Sequence, residues 1–170
     1  MKQLHIITPV KDSIELTLQT IESIMASEFT VPYHYYVYND FSTDENTARL
    51  SEASGKMGFE LINLSDLTDH PSPNYLLILQ AAQQKAIDAD AGLLIVESDV
   101  IVKKHTLQSL FDGALIRSDC GIAAAVTVDE QENINYPYLY AKGKEGKVFP
   151  EKKHLSFCCS LLTVSFLKAF

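Results

Sequence analysis

Glycine is scarce in this sequence, and its absence from three kinds of turn removes three classes of enzyme. The chain has 170 residues and only 7 glycines. The first strand-to-helix turn, Thr8–Asp12, contains none, so the Gly-rich fingerprint of a dinucleotide-binding fold is missing. There is also no GxxxxGK(S/T) phosphate loop, and no GxSxG turn that would present a nucleophilic serine. Dinucleotide-dependent, P-loop and α/β-hydrolase chemistries are therefore excluded.

Cysteine, positive charge and long apolar runs are also in short supply. The 3 cysteines, with Cys158 and Cys159 adjacent, do not form a disulfide framework and indicate the reducing cytoplasm. A formal charge of −8 argues against a surface that binds nucleic-acid phosphates. The apolar stretch Phe157–Leu167 is too short to cross a bilayer, and the short apolar run after Met1 predicts no signal peptide. We expect a cytoplasmic protein with no membrane span in this chain, and we leave open peripheral contact at the inner face of a membrane.

Apolar residues make up 46% of the chain, which is typical of a globular protein. Strand and helix patterns alternate over residues 1–116, which predicts an α/β fold with a parallel sheet and right-handed crossovers. The predicted strands are Leu4–Ile7, Tyr35–Tyr38, Phe59–Leu64, Gly92–Val96, Gly121–Val128, Tyr136–Tyr140 and Leu155–Val164. The predicted helices start at a capping box of Asp12 and Glu15, at Asn46, at Ser72-Pro73 and at Thr106.

Polar residues follow three of these strands at the point where each strand ends. Glu97-Ser98-Asp99 comes directly after the apolar strand Gly92–Val96, and Asn39–Asp44 follows the tyrosine-rich second strand. Thr8-Pro9 ends the first strand. Since open α/β sheets bind ligands at the carboxyl edge of their strands, the three polar segments predict one ligand site. The plainer interpretation, a set of solvated acidic turns, predicts no metal-dependent ligand binding.

The carboxylates of these segments have the chemistry for a nucleoside diphosphate. Asp40 would accept a hydrogen bond from a nucleobase, and Glu97 would reach a ribose hydroxyl. Asp99 would hold Mg²⁺ or Mn²⁺, hard cations that prefer oxygen ligands and bind together with substrate phosphates. The cation is needed for this hypothesis because three carboxylates would otherwise repel an anionic ligand.

The same three segments resemble, in order and spacing, the motifs of family-2 glycosyltransferases with the GT-A fold. Ile6–Asp12 resembles the opening strand and turn of the family, and Val37–Asp44 its hydrophobic-(D/N)-D-x-S-x-D segment. Leu94–Asp99 resembles its DxD motif, with Glu97 in place of the first aspartate. The resemblance implies a GT-A-like, mainly parallel Rossmann-like sheet flanked by helices, with a partial acceptor-side β region.

The resemblance also implies an activity and a set of site residues. The enzyme would transfer a sugar from a nucleoside-diphosphate sugar to a glycan or lipid-linked acceptor, with a divalent metal and with inversion, as in cell-surface polysaccharide biosynthesis. Asp99 takes the metal-binding role. The nucleotide-binding residues implied by the motifs are Thr8, Pro9, Asp12, Asp40, Glu97 and Ser98.

Two departures from the family pattern limit the assignment. Where the family has an Ala-Arg-Asn-x-Gly stretch this chain has Leu79–Gln83, and Asn74, Gln80 and Lys85 are all left open as substitutes for the arginine. No Glu-Asp base motif with a following Arg/Trp motif occurs in residues 1–170, so the catalytic base is unassigned and we expect a chain truncated before it.

We therefore expect one GT-A-like domain over residues 1–170. Residues 1–116 would form its nucleotide-sugar-binding half, and residues 117–170 an incomplete acceptor-side region. Two alternatives are open: a non-catalytic nucleotide-sugar-binding or interaction module, and a nucleotidyltransferase of related fold.

Overall fold

A mixed β-sheet runs through the middle of the protein, with helices on both of its faces. The computed structural model describes residues 1–136, 138–151 and 154–169. In these residues the sheet has six strands in the order β3-β2-β1-β4-β6-β5. The elements are β1 (Leu4–Val10), α1 (Ile14–Met25), β2 (Tyr33–Asn39), α2 (Asp44–Met57), β3 (Glu60–Asn63), α3 (Tyr75–Asp88), β4 (Gly92–Val96), α4 (Thr106–Leu115), β5 (Ile122–Ala124), β6 (Cys159–Leu162) and α5 (Val164–Leu167), with 3₁₀ turns at Leu64–Asp66 and Tyr138–Ala141.

The first four strands form the parallel part of the sheet that the sequence predicts. β1 pairs with β2 and with β4, and β2 pairs with β3, all in parallel register. Helices α1, α2 and α4 pack on one face, and α3 and α5 pack on the other. All residues of β1 and β4 are buried, because both faces of these central strands are covered. The predicted bounds of β4 are confirmed.

The last two strands reverse the direction of the chain. β6 pairs antiparallel with β4, with Val96 opposite Cys159, and β5 pairs antiparallel with β6. The segment that enters β6 therefore arrives at the edge where β4 ends. There the backbone N–H of Glu97 donates to the carbonyl of Cys158 at 2.9 Å.

The late strands are shorter than predicted, and one of them does not form. Gly121–Val128 contributes only β5, and Leu155–Val164 contributes only β6. The prediction of a strand at Tyr136–Tyr140 is wrong for the described residues of that segment; position 137 lies outside them. Tyr138 instead donates its N–H to the carbonyl of Asn135 at 2.7 Å, which closes a turn.

Helix α2 starts at Asp44, two residues before the predicted Asn46. Helices α1 and α3 also start differently from the prediction, because polar side chains have more distant partners. The capping box of Asp12 and Glu15 does not form: Ser13 is the N-cap of α1 and makes no side-chain capping bond. Helix α3 starts at Tyr75, with Asn74 as its N-cap, and not at Ser72-Pro73. Asp12 and Ser72 are both engaged at the edge of the sheet instead.

Apolar residues form the buried faces of α3 and α4. In α3 the buried residues are Ile78, Ala82 and Ala86, whereas Leu79 is only half-buried. In α4 Leu107, Leu110 and Phe111 are buried, whereas Leu115 is 54% exposed. No helix in the described part of the chain is both long and apolar enough to cross a membrane.

Helix α4 offers a matched test of this packing. Leu110 is 7% exposed and Leu115 is 54% exposed, so the same leucine-to-alanine change removes very different amounts of buried surface. We expect Leu110→Ala to lower the free energy of unfolding by about 2–4 kcal/mol. Leu115→Ala should change it by less than about 0.5 kcal/mol. Urea denaturation of both variants measures the difference, and equal losses would contradict the packing described here.

Candidate functional site

Two carboxylates at the carboxyl edge of the sheet point to the same face. Asp40 directly follows β2 and Glu97 directly follows β4, with β1 between them. The two positions are thus two strand spacings apart, about 10 Å. Tyr38 and Ile95, two residues earlier in their strands, lie in the core on the side of α3. Since side chains alternate along a strand, Asp40 and Glu97 also face α3.

The carboxylate of Asp40 is held by three hydrogen bonds from the segment before α3. It is 5% exposed. Oδ2 accepts from the Ser72 hydroxyl at 2.7 Å and from the Asn74 N–H at 2.9 Å, and Oδ1 accepts from Asn74 Nδ2 at 2.8 Å. Burial alone would raise the pKa of Asp40, but these bonds and the charge of Lys11 outweigh it and lower the pKa. Asp40 is therefore ionised in the folded protein.

The start of α3 connects Asp40 to Glu97. Asn74 caps the helix while its amide donates both to Asp40 and, at 2.9 Å, to the carbonyl of His70. The next residue, Tyr75, donates its hydroxyl to Glu97 Oε1 at 2.6 Å. Two consecutive residues thus join the end of β2 to the end of β4.

Glu97 and Asp99 have different surroundings although they are two positions apart. Burial, followed by repulsion from the Asp99 carboxylate, raises the pKa of Glu97, and the hydrogen bond from Tyr75 only partly opposes this. Burial and then Glu97 raise the pKa of Tyr75 in turn. Asp99 is exposed, on a turn in which Val100 N–H donates to the Glu97 carbonyl at 3.2 Å. Asp99 therefore presents its carboxylate to solvent, whereas Glu97 is half-buried and bonded to Tyr75.

Lys11 and Asp12, the two residues that follow β1, form hydrogen bonds with the loop after β2. Asp12 Oδ1 accepts from the Thr43 N–H at 2.9 Å and from Asn46 Nδ2 at 3.1 Å, and these bonds lower the pKa of Asp12. Lys11 Nζ contacts the Phe41 carbonyl and lies 3.7 Å from Asp12 Oδ2. Lys11 is thus a basic residue at this edge, near Asp40.

The structure places Thr8 and Pro9 inside β1 rather than in a turn. Both are buried, and the Thr8 hydroxyl hydrogen-bonds to that of Tyr35 at 2.9 Å. Ser98 is half-buried between Glu97 and Asp99. Contact of these residues with a nucleotide stays a prediction.

On the sequence alone, three residues are open as substitutes for the arginine of the Ala-Arg-Asn-x-Gly stretch. None of them has a side chain available to a ligand at the carboxyl edge of the sheet. Asn74 is engaged by Asp40, and Gln80 is exposed near the middle of α3. Lys85 lies in the last turn of α3, with Nζ 5.1 Å from the centre of the Tyr36 ring. Sequence reasoning missed Tyr75 as a partner of Glu97; its one available signal was its position next to the predicted helix start.

The residues at this edge fit a divalent cation that arrives with a substrate. Within residues 1–136, 138–151 and 154–169, no group of three or more His, Cys, Asp or Glu side chains is placed to hold a metal. Mg²⁺ and Mn²⁺ do not need such a group, because they often bind one or two carboxylates and complete their shell with phosphate oxygens and water. Asp99 offers a carboxylate of this kind.

No protein-family model matches the chain, and no curated protein sequence matches it. Solved structures do match. S. aureus TarS 1-349 in complex with UDP is 20% identical over 66% of this chain and 32% of that chain, with a TM-score of 0.51. The mannosyltransferase PcManGT from Pyrobaculum calidifontis, in complex with GDP-Man and Mn²⁺, is 15% identical over 77% of this chain and 36% of that one, with a TM-score of 0.52.

Glucosyl-3-phosphoglycerate synthase from Mycobacterium tuberculosis, in complex with UDP, matches 96% of this chain and 57% of that one, at 14% identity and a TM-score of 0.58. These similarities establish the fold: the protein has the GT-A architecture of glycosyltransferases. The predicted fold class is confirmed. The chain spans about a third of the TarS chain, 32% of its length.

The electrostatics of Glu97 predict opposite effects of two substitutions. Tyr75→Phe removes the hydrogen bond that lowers the pKa of Glu97, so that pKa should rise further. Asp99→Asn removes a repelling charge, so the pKa of Glu97 should fall. Carboxyl-carbon NMR titration of Glu97 in both variants measures the two shifts. Shifts in the same direction would contradict the described arrangement.

The bonds to Asp40 predict an acid-dependent contribution to stability. Because the pKa of folded Asp40 is below its ordinary value, its contribution is complete above that value and is lost as pH falls through the lowered pKa. Asp40→Asn should lower the free energy of unfolding by about 1–3 kcal/mol at neutral pH. The gap between wild type and variant should shrink in acid, as measured by urea denaturation at several pH values. Asp112→Asn, at an exposed site on α4, is the control and should show no such gap.

Proposed function

We propose that this chain is the nucleotide-sugar-binding part of a metal-dependent, inverting family-2 glycosyltransferase. It would take a sugar from a nucleoside-diphosphate sugar and pass it to a glycan or lipid-linked acceptor on the cytoplasmic side of a membrane. The observation that carries the proposal is the grouping of Asp40, Glu97 and exposed Asp99 at the carboxyl edge of a GT-A sheet. In support, TarS, PcManGT and glucosyl-3-phosphoglycerate synthase, three proteins of this fold, have solved structures in complex with UDP, UDP-GlcNAc or GDP-Man.

Asp40 is suited to recognise the base of the donor. It is ionised, and a carboxylate has about four acceptor positions, of which three are used here. A nucleobase N–H would take the remaining position or replace Ser72. Ser72 is the donor whose replacement by a nucleobase would destabilise the fold least, because both bonds from Asn74 also fix the start of α3. Thr8, Pro9 and Asp12 would support this pocket from β1 and the residues after it.

Asp99 would bind the cation, and Glu97 with Ser98 would face the ribose. The cation, when bound, supplies positive charge to the diphosphate, which is both the bound anion and the leaving group. Glu97 is kept in place by Tyr75, so it can accept a bond from a sugar hydroxyl without first being ordered. Lys11 adds a positive charge near the base pocket.

The proposal assigns donor binding and acceptor binding to different parts of the domain. Residues 1–116 carry every proposed donor contact, and residues 117–170 are assigned to the acceptor side. A base that deprotonates the acceptor hydroxyl is not assigned to any residue of this chain. A binding module without turnover is the second candidate, because both inner carboxylates are engaged in internal hydrogen bonds.

Calorimetric titration of UDP and of GDP, each with and without Mn²⁺, tests donor binding. We expect one of the two nucleotides to bind only with Mn²⁺, and Asp99→Ala to weaken that binding more than tenfold, about 1.4 kcal/mol or more. The matched control Asp112→Ala removes an exposed carboxylate on α4 and should leave affinity unchanged.

Two results would argue against the proposal. Binding that is equally tight without metal, or equally weakened by both substitutions, would remove Asp99 from its role. If the folded protein binds neither nucleotide, the proposed donor site is wrong. Turnover of donor sugar, measured separately, distinguishes a transferase from a binding module.

A further inference from the structure

A second surface of the molecule is not used by the proposed donor site. Residues 142–153 contain five lysines and two glutamates, a net charge of +3. The whole chain carries −8, so the remaining residues carry −11. Positive charge is therefore concentrated in one short loop of an acidic protein. The described lysines of this loop, Lys142, Lys144 and Lys147, are all exposed.

Large apolar side chains are exposed around the same loop. Tyr136 is 86% exposed and Val148 is 67% exposed, and Leu139 and Leu155 are also exposed. We call these four side chains, together with the three exposed lysines, the loop surface. Apolar residues scattered singly over a surface need no explanation, but several of them within 20 residues, interleaved with lysines, do.

The loop is held in shape by its own contacts, so the exposure is a property of the fold. Tyr138, four residues before the loop, is buried. The rings of Tyr140 and Phe149 meet edge to face at 6.2 Å, and Lys144 Nζ lies 4.2 Å from the centre of the Phe149 ring. The Tyr140 hydroxyl donates to the His154 carbonyl at 2.9 Å.

The loop surface adjoins the edge of the sheet where the donor site is proposed. The chain runs from this loop through Ser156 to Cys158, whose carbonyl accepts from the Glu97 N–H. On its other side, Val148 lies against Gly113 of α4, one turn before Ile116, which is exposed as well. The loop surface is thus joined to the edge of the sheet at Glu97 through residues 156–158.

We propose that the loop surface docks the protein onto an anionic lipid bilayer. Lysines are attracted to a negative membrane surface, and apolar side chains gain by entering the interface between headgroups and acyl chains. The −11 charge of the rest of the chain repels the same membrane, which favours the orientation in which the loop surface faces the lipid. A soluble polyanion would pair with the lysines but would leave the apolar side chains of Val148 and Leu139 in water. A lipid surface would interact with both the lysines and the apolar side chains, so we favour it. This inference goes beyond donor binding and does not rest on it.

Co-sedimentation with vesicles, in the absence of nucleotide and metal, tests the proposal. We expect the protein to bind vesicles of equal parts phosphatidylcholine and phosphatidylglycerol, and not vesicles of phosphatidylcholine alone. Replacing Lys142, Lys144 and Lys147 together by glutamine should reduce the partition coefficient more than tenfold, since each lysine near the surface contributes about fivefold. The control replaces Lys2, Lys56 and Lys168 by glutamine, which changes the net charge equally but leaves the loop intact.

A second pair of variants tests the apolar part without changing charge. Val148→Ser should weaken vesicle binding severalfold, whereas Leu16→Ser, at an exposed leucine of α1, should not. Circular dichroism and thermal unfolding confirm that all variants are folded. The proposal fails if the wild type does not bind anionic vesicles, or if both triple-lysine variants lose binding equally. It also fails if Val148→Ser binds like the wild type, because the surface would then recognise charge alone, as on an acidic protein or polymer.

Discussion

The hydrogen bonds that converge on the Asp40 carboxylate decide where α3 begins, and much of the candidate site follows from that point. A helix start leaves backbone N–H groups without partners, and here a carboxylate from a neighbouring strand accepts from Asn74 N–H. With Asn74 fixed, Tyr75 is the first residue of the helix and reaches Glu97. The same helix then buries Ile78, Ala82 and Ala86 against the sheet. The hydrogen bonds to Asp40 thus fix both the start of a core helix and the geometry of the carboxyl edge of the sheet.

The acidic residues at the edge differ in their electrostatic state, and the fold produces the difference. Asp40 receives three hydrogen bonds and has a lowered pKa, so it stays an acceptor. Glu97 receives one, is half-buried and has a raised pKa. Asp99 stands in solvent. Because their pKa values and burial differ, these neighbouring acidic groups do not all repel the same ligand atom, although the chain has a net charge of −8.

The parts of this structure that the sequence predicts depend on short-range patterns. β4 is a run of five apolar residues, and the carboxyl-edge position of Asp40 and Glu97 follows from strand–helix alternation alone. The failures involve partners far along the chain. Asp12 has the spacing of a capping box, yet its carboxylate accepts from Thr43, 31 residues later. Asn74 meets Asp40 across 34 residues. A single sequence contains no local signal for such pairs, because only the folded sheet brings them together.

The reversed direction of β6 has an evolutionary consequence. β6 runs antiparallel to β4 and to β5, and the described residues between Ala125, which still bonds to Cys159, and Cys158 form no strand of the sheet and return to it beside Glu97. Insertions or exchanges within this segment would alter what lies next to the carboxyl edge of the sheet and leave the strand pairings on both sides unchanged. The architecture therefore separates a part that is constrained by packing from a part that is open to diversification.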